Sequence, residues 1–437
     1  MSPPGFDVVV AGAGPAGSVA ALVLARGGAR VALVDKAAFP RDKACGDLIG
    51  PRGVGLLDEL GVSVPDAGQG ADLLVVGPSG HRSRLPAFAG RTYPGHGVVI
   101  PRVVLDDALR TAAVEAGAEP IRARVSGVDR SPGGPVRALV TSDGQRLAAD
   151  AFVGADGALS PVARLAGMLD TDTALWGFAI RAYVPAEVPL PLLVLLDQAP
   201  WRIYPGYGWL FPGADGQANV GIGVGLGTRR RQARLRDDLA RFTTLLRTSG
   251  DLAPEARIGP VTGGWLRMGG TGTPPAAGNV LLAGDAAGLI NPLQGEGIGP
   301  GMVSAWLAAE CLLAGPGRAA AAYTDAVTAA FGRYLPGAAA LQATLLHRPR
   351  VASAAVRLLT APAVRRVLAG PWSLYWNGLV DGASPRPAAW AAAAVQQVAS
   401  RAGRRWPANS RDLGPPGPAD DAPDLRRSPS ADEVRSG

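Results

Sequence analysis

A chain of 437 residues, 47% apolar and 18% charged, is long enough for two or three domains of roughly 100–200 residues and too apolar to be wholly disordered. Its 60 glycines show no three-residue period, which excludes a collagen; two cysteines (Cys45, Cys311) and three scattered histidines exclude a disulfide framework and a four-ligand zinc site. The net charge of +7 is unevenly placed, with nine arginines against Asp381 alone between Leu341 and Pro407.

The N-terminus lacks a basic region followed by a long apolar run, and no 18-residue stretch is free of charge, Pro and Gly. A cytoplasmic chain without a spanning helix is expected. Asp7–Ala11 is a β-branched run that leads into Gly12-Ala-Gly14-Pro-Ala16-Gly17. An Ala/Leu-rich stretch follows to Arg26, ended by Gly27 and Gly28, and then a second strand, Arg30–Val34, closed by Asp35. This spacing predicts a strand–turn–helix–strand unit that binds a dinucleotide. Gly12 permits the tight turn, Gly14 lets the backbone approach a pyrophosphate, and Gly17 lets the helix pack on the strand. Ala16 lies in the same turn. Asp35 is placed to accept hydrogen bonds from a ribose, with Lys36 beside it on the adenosine side.

Farther along, Arg102 begins a helical stretch through Ala116 that Gly117 ends. Phe152–Pro161 (FVGADGALSP) is a strand-like run followed by Asp156-Gly157. The stretch from 175 to 270 carries Trp176, Phe178, Trp201, Tyr204, Tyr207, Trp209, Phe211 and Trp265. Tyr207 and Trp209 alternate, so in a strand they share one face, as core aromatics or as the wall of an apolar slot. Asn279–Leu282 then reads as a buried strand leading into Gly284-Asp285, and Gly297-Ile298 opens another helix. A strand ending in Gly-Asp can aim a carboxylate at the ribityl chain of FAD. A helix N-terminus can stabilise the negative charge of a reduced flavin. A simple nicotinamide dehydrogenase has no use for this second element, so the expected cofactor is FAD.

The motifs GAGPAG, ADG and GDA, in that order, resemble the flavoproteins that include aromatic hydroxylases, flavin-dependent halogenases and geranylgeranyl reductases. Phe39–Asp47 (FPRDKACGD) is similar to the Pro-Arg-x-Lys-x-Cys-Gly run of geranylgeranyl reductases. Pro205–Pro212 (PGYGWLFP) with Asn219–Gly223 (NVGIG) resembles their Tyr-x-Trp-x-Phe-Pro…Gly-x-Gly signature. With Met268-Gly-Gly270 and Asn291–Gly295 added, the pattern is most similar to the actinobacterial menaquinone reductase branch. The resemblance covers about residues 6 to 400.

That resemblance implies an α/β fold: a discontinuous Rossmann-like FAD domain (1–70, 98–170, 270–340) and a β-rich substrate domain (71–97, 171–269). A C-terminal helical segment (341–407) would follow. The tail 408–437 lies outside the resemblance, and its Pro-, Ser-, Asp- and Arg-rich composition reads as disordered. The segment 341–407 is basic and carries Trp372, Trp376, Trp390 and Trp406, the composition of helices on an anionic membrane surface. A solvated basic face is the plainer reading. The implied reaction is hydride transfer from reduced flavin to a polyprenyl double bond, in the tail of menaquinone or a geranylgeranyl group. Cys45 and Gly46 would lie at the flavin, Arg102 and Val125 would contact FAD, and Tyr207, Trp209 and Phe211 would line the slot. Cys45 could donate a proton or simply pack. The electron donor stays open between a nicotinamide, a ferredoxin and a quinol. An aromatic hydroxylase of the same fold is the alternative. A halogenase is disfavoured because Lys36 and Lys43 are the only lysines and its Trp-x-Trp-x-Ile-Pro signature is absent. A non-catalytic carrier is disfavoured by the intact motifs, and a nucleic-acid binder by the apolar character of the basic segment.

Overall fold

The computed structural model describes residues 5–64, 69–70, 72–77, 80–90, 93–196, 206–213, 216–225, 235–347, 349–379 and 386–405. Trp201, Tyr204, Trp406 and the tail 408–437 lie outside the described residues.

Three apolar runs, Phe6–Ala11, Val31–Asp35 and Val280–Leu282, are β-branched or Leu-rich on both faces, as strands covered on both sides must be. They join a sheet in the spatial order Ala276–Ala277, Val280–Leu282, Arg146–Gly154, Phe6–Ala11, Val31–Asp35, Glu119–Arg122. All neighbours after the first pair are parallel. The long strand Arg146–Gly154 also pairs with Val136–Thr141, which pairs with Val125–Arg130, both antiparallel.

The register brings four strand ends level. Ala11 lies opposite both Gly154 and Val34, and Gly154 lies opposite Leu282. Helix α1 (Pro15–Arg26) starts directly after the first strand, with Pro15 at its first position, where the missing N–H costs nothing. Helices α2 (Pro51–Leu60) and α3 (Arg102–Glu115) follow, then the short α4 (Pro161–Leu165), capped by Ser160 Oγ on Ala163 N–H at 2.9 Å.

The second sheet runs Thr262–Met268, Leu175–Pro185, Gln217–Gly225, Gly206–Phe211, Leu192–Leu196, Leu73–Val76, Arg82–Leu85. It is antiparallel except where Leu192–Leu196 lies parallel to Leu73–Val76. One face is covered by α5 (Leu235–Thr248), whose Leu235, Leu239, Phe242 and Leu246 are buried against Phe178, Ile180, Leu210 and Val220. Phe178 is therefore a core residue between the sheet and this helix rather than a slot residue.

Helices α6 (Ile298–Ala314) and α7 (Ala319–Phe331) return to the first sheet, and Tyr323 Oη donates to the Leu282 carbonyl at 2.7 Å. The chain then forms α8 (Leu335–His347), α9 (Pro349–Thr360), α10 (Pro362–Trp376) and α11 (Arg386–Arg405). Helix α10 lies on the other face of the second sheet. Its Trp372 is buried with Val75, Leu85, Leu193 and Leu195, and Ser373 Oγ donates to the Pro86 carbonyl at 2.7 Å. Among the described residues no helix is long and apolar enough to cross a membrane.

Candidate active site

Open α/β sheets bind ligands outside the carboxyl ends of their strands. Here Gly12 N–H bonds Val34 O at 2.7 Å, Ala155 N–H bonds Ala11 O at 2.8 Å, and Ala283 N–H bonds Gly154 O at 2.9 Å. The GAGPAG (12–17), ADG (155–157) and AGD (283–285) loops thus leave the sheet side by side, although they are far apart in sequence. All open into one cavity of about 990 Å³.

Glycine is required where those loops touch. Gly12 has φ +97°, and a β-carbon there would lie 2.3 Å from the Ala155 carbonyl oxygen. Gly17 does not line the cavity; a β-carbon on it would overlap Gly12 O at 1.7 Å, so it is a packing glycine between helix and strand. Gly14 lines the cavity, and its β-carbon would meet the guanidinium groups of Arg41 and Arg102 at 3.6 and 3.7 Å.

Two cations and a helix N-terminus therefore share one cradle. Arg102 is 4% exposed and forms a bidentate pair with the buried Asp106, at 2.6 and 2.7 Å; Arg41 reaches the same carboxylate at 3.0 Å. Burial works against the Arg102 charge, but Asp106 outweighs it and raises the guanidinium above its usual range. Arg41 also stacks on the Phe39 ring, 4.9 Å from its centroid. Two guanidiniums on one carboxylate leave a net positive charge beside Gly14, which suits a pyrophosphate.

The remaining expected cofactor residues Ala16, Asp35, Lys36, Val125, Gly284, Asp285, Gly297 and Ile298 also line the cavity. The Asp35 carboxylate accepts from Ala13 N–H and Ala37 N–H, both at 2.8 Å, which fixes its direction at the strand end. Asp285 lies 3.6 Å from Lys43 Nζ and against Gly297 at the start of α6. Asp156 lines the cavity as well, and its carboxylate accepts from Ser160 Oγ and from Val162 N–H at 2.8 Å at the start of α4. Glycines in a cradle, a bound guanidinium pair, and the carboxylates of Asp35 and Asp285 at opposite ends form a donor set that fits FAD.

The same cavity continues along the second sheet. Tyr207, Trp209 and Phe211 share one face of Gly206–Phe211, with successive ring centroids 5.9 and 6.2 Å apart. Gly221 and Gly223 of the next strand oppose Trp209 and Tyr207 and leave room for the indole. Leu73, Leu85, Leu193 and Leu195 extend this apolar wall, and Trp376 and Asn377 close it from the C-terminal helices. The segment 341–407 is thus not only an outer extension, since α10 forms part of the cavity wall. Its end is tied there: Asn291 Nδ2 donates to Trp376 O at 3.0 Å, and an Arg52 nitrogen donates to Gly378 O at 3.1 Å.

Cys45 and Gly46 sit where the two parts meet. A β-carbon on Gly46 would touch Phe211 at 3.2 Å and the Trp209 indole nitrogen at 3.4 Å. Cys45 Sγ accepts from Asp47 N–H at 3.3 Å. Burial pushes the thiol pKa up, opposed by the nearby Arg102 charge. Glu296 lines the junction too, accepting from Gly50 N–H at 2.9 Å and from Gln294 Nε2 at 3.1 Å; burial raises its carboxyl pKa. Sequence reasoning did not single out Arg41, Asp106 or Glu296. Arg41 stood within the quoted FPRDKACGD run, and Asp106 lies one helical turn from Arg102.

This fold and site define an FAD-dependent oxidoreductase. The model of the FAD binding domain family matches residues 5–199. The menaquinone reductase of Mycolicibacterium smegmatis is 37% identical over 327 residues, covering 71% of this chain and 76% of that protein. A digeranylgeranylglycerophospholipid reductase of Methanopyrus kandleri is 31% identical over 324 residues, covering 70% and 80%. A geranylgeranyl bacteriochlorophyll reductase-like structure from Thermoplasma acidophilum superposes with a TM-score of 0.67 over 91% of this chain and 98% of that one. At 22% identity that likeness speaks for the fold. The chain belongs to the geranylgeranyl reductase family of FAD-dependent oxidoreductases, near its menaquinone reductase branch.

Proposed function

We propose that this protein saturates a carbon–carbon double bond in a polyprenyl chain, with the isoprenoid tail of menaquinone as the first substrate to test. One observation carries the reading: the dinucleotide cradle and an apolar slot are a single cavity, with Cys45 at their junction. A polyprenyl chain offers no hydrogen-bonding group, so only burial can hold it. At about 0.8 kcal/mol per buried carbon, one five-carbon unit contributes on the order of 4 kcal/mol before the costs of association. The wall of Leu73, Leu85, Leu193, Leu195 and the aromatic ladder supplies that burial and keeps water out.

FAD, when bound and reduced, supplies two electrons and one of the two hydrogens added to the alkene. The other arrives as a proton, a role we assign to Cys45. Burial favours the protonated thiol, while Arg102 faces the sulfur and stabilises the thiolate left after transfer. Once the saturated chain has left and the slot is open to solvent, the thiolate takes a proton back from the bulk. Tyr207, whose hydroxyl donates to the Gln294 carbonyl, is held as wall and is not free to serve as the acid.

A lipid-borne tail must enter from a membrane. The outer faces of α9–α11 support docking on an anionic lipid surface. Leu358, Val367, Trp390 and Val398 are 60%, 74%, 71% and 67% exposed. Arg357, Arg366 and Arg401 are exposed on the same helices.

The test is anaerobic. The flavin-loaded protein is reduced with dithionite and mixed with menaquinone carrying a fully unsaturated tail. A mass gain of two hydrogens on the tail is the expected result. No gain with menaquinone, with geranylgeranyl diphosphate or with geranylgeranyl phospholipid would overturn the reading. Oxygen-dependent product formation instead would favour an aromatic hydroxylase.

A further inference from the structure

Among the described residues, Asp47 is the one non-glycine position in the left-handed region, with φ 64°. It is also 1% exposed, an unusual fate for a carboxylate. Two elements of the second sheet hold it. Tyr183 Oη and Asn219 Nδ2 both donate to Asp47 Oδ2 at 2.7 Å, while Oδ1 has no partner. Asn219 also donates to the Cys45 carbonyl at 2.8 Å and accepts from Trp209 Nε1 at 2.8 Å. The backbone N–H of Asp47 points at Cys45 Sγ, and its carbonyl accepts from Ile100 N–H at 2.9 Å. Strained, buried residues of this kind gather at functional sites because the surrounding structure over-determines them.

We propose that Asp47 is the positioning residue for Cys45: its carboxylate locks the left-handed turn to Tyr183 and Asn219, its N–H fixes the sulfur, and its charge keeps the hydrogen on sulfur against the pull of Arg102. This rests on the reading of Cys45 as proton donor. The charged and titratable groups facing the thiol are Arg102 from α3, Lys43 and Asp47 from its own loop, and Tyr207 from the aromatic strand. Arg102, Lys43 and the Asp47 N–H favour the thiolate; burial and the Asp47 carboxylate favour the thiol. Asp47 is the acidic group that offsets two cations. Tyr183 and Asn219 favour its ionised form by donating to it, as do Arg181 and Arg102 by charge, all against the desolvation that raises its pKa.

The test reads the thiol directly and needs no turnover. The flavin-loaded protein is alkylated with iodoacetamide across a pH series, and modification of Cys45 is followed by peptide mass spectrometry. Asp47→Asn tolerates the positive φ and removes the charge. Asp47→Gly frees the φ and removes the carboxyl altogether. In both, the alkylation midpoint is expected to fall by about one pH unit, a tenfold rise in thiolate at neutral pH. Flavin content is expected to be unchanged. An unmoved midpoint in Asp47→Asn, or an Asp47→Gly protein that matches the wild type, overturns the proposal and leaves Asp47 with a backbone role only. If the wild-type protein turns over no polyprenyl lipid, the reductase reading fails while this profile still decides the role of Asp47.

Discussion

Trp209 lies flat across Gly221: a β-carbon on that glycine would sit 2.1 Å from the indole Cζ2. The two residues face each other in the ladder between adjacent strands, so the absent side chain of one is the space occupied by the other. Gly221→Ala must push the indole off its hydrogen bond to Asn219. Overpacking of this kind costs about 1–3 kcal/mol. Denaturant unfolding should show that loss. Trp209→Phe in the same chain should recover part of it, whereas a purely additive double variant would contradict the contact.

The Arg102–Asp106 pair makes a prediction about cofactor retention. Asp106→Asn leaves Arg102 buried without its counter-charge, a change that costs about 3–5 kcal/mol when one partner of a buried pair is removed. The expected outcome is protein purified largely without flavin, read by absorbance. Arg41→Ala should be milder, because its side chain is 19% exposed. Flavin retention equal to wild type in Asp106→Asn would show that the cradle does not depend on this pair.

Glu296 predicts a pH dependence of stability. Burial raises its pKa in the fold, so the folded state holds the proton more tightly than the unfolded chain. Its contribution is fully present below the unfolded pKa, about 4.3, and is lost as pH rises through the higher folded value. Glu296→Gln removes this dependence. Measured by urea unfolding, the variant should gain stability relative to wild type as pH goes from about 4 to 7. A constant difference over that window would contradict it.

The outer helices predict a salt-dependent partition onto vesicles. Replacing Arg357, Arg366 and Arg401 with Gln removes about 1 kcal/mol each, so binding to anionic vesicles should fall by roughly 100-fold. Flavin content should not change. Equal co-sedimentation of wild type with zwitterionic and anionic vesicles would remove the electrostatic docking argument.

Much of this site is local in sequence, and that part is readable. Gly12, Gly14 and Asp35 belong to one strand–turn–helix–strand unit, and the Gly284-Asp285 turn announces itself by the strand before it. The aromatic alternation at Tyr207 and Trp209 marks a shared face. What the motifs do not carry is long-range pairing. Asp47 sits at the end of a quoted motif and Asn219 at the start of another, yet their bond joins positions 172 residues apart. Asn291 likewise gains its meaning from Trp376, across 85 residues. Arg357, Arg366 and Arg401 mark the outer faces of these helices, whereas Trp372 and Trp376, one helical turn apart, face inward. Arginine content and helical spacing report different faces of the same helices.

The parallel pairing of Leu73–Val76 with Leu192–Leu196 bears on how the chain is made. During synthesis the first of these strands leaves the ribosome more than a hundred residues before its partner. The strand Phe6–Ala11 waits longer still for Arg146–Gly154, and that strand waits in turn for Val280–Leu282. Neither sheet can close as its N-terminal pieces emerge, and such non-local pairing makes folding slow. The dinucleotide cradle is therefore complete only after the Gly284-Asp285 turn and the start of α6 have emerged. A ligand that then binds the native state at a thousand times its Kd adds about 4 kcal/mol by mass action. For this protein, cofactor supply and yield of folded chain are coupled quantities.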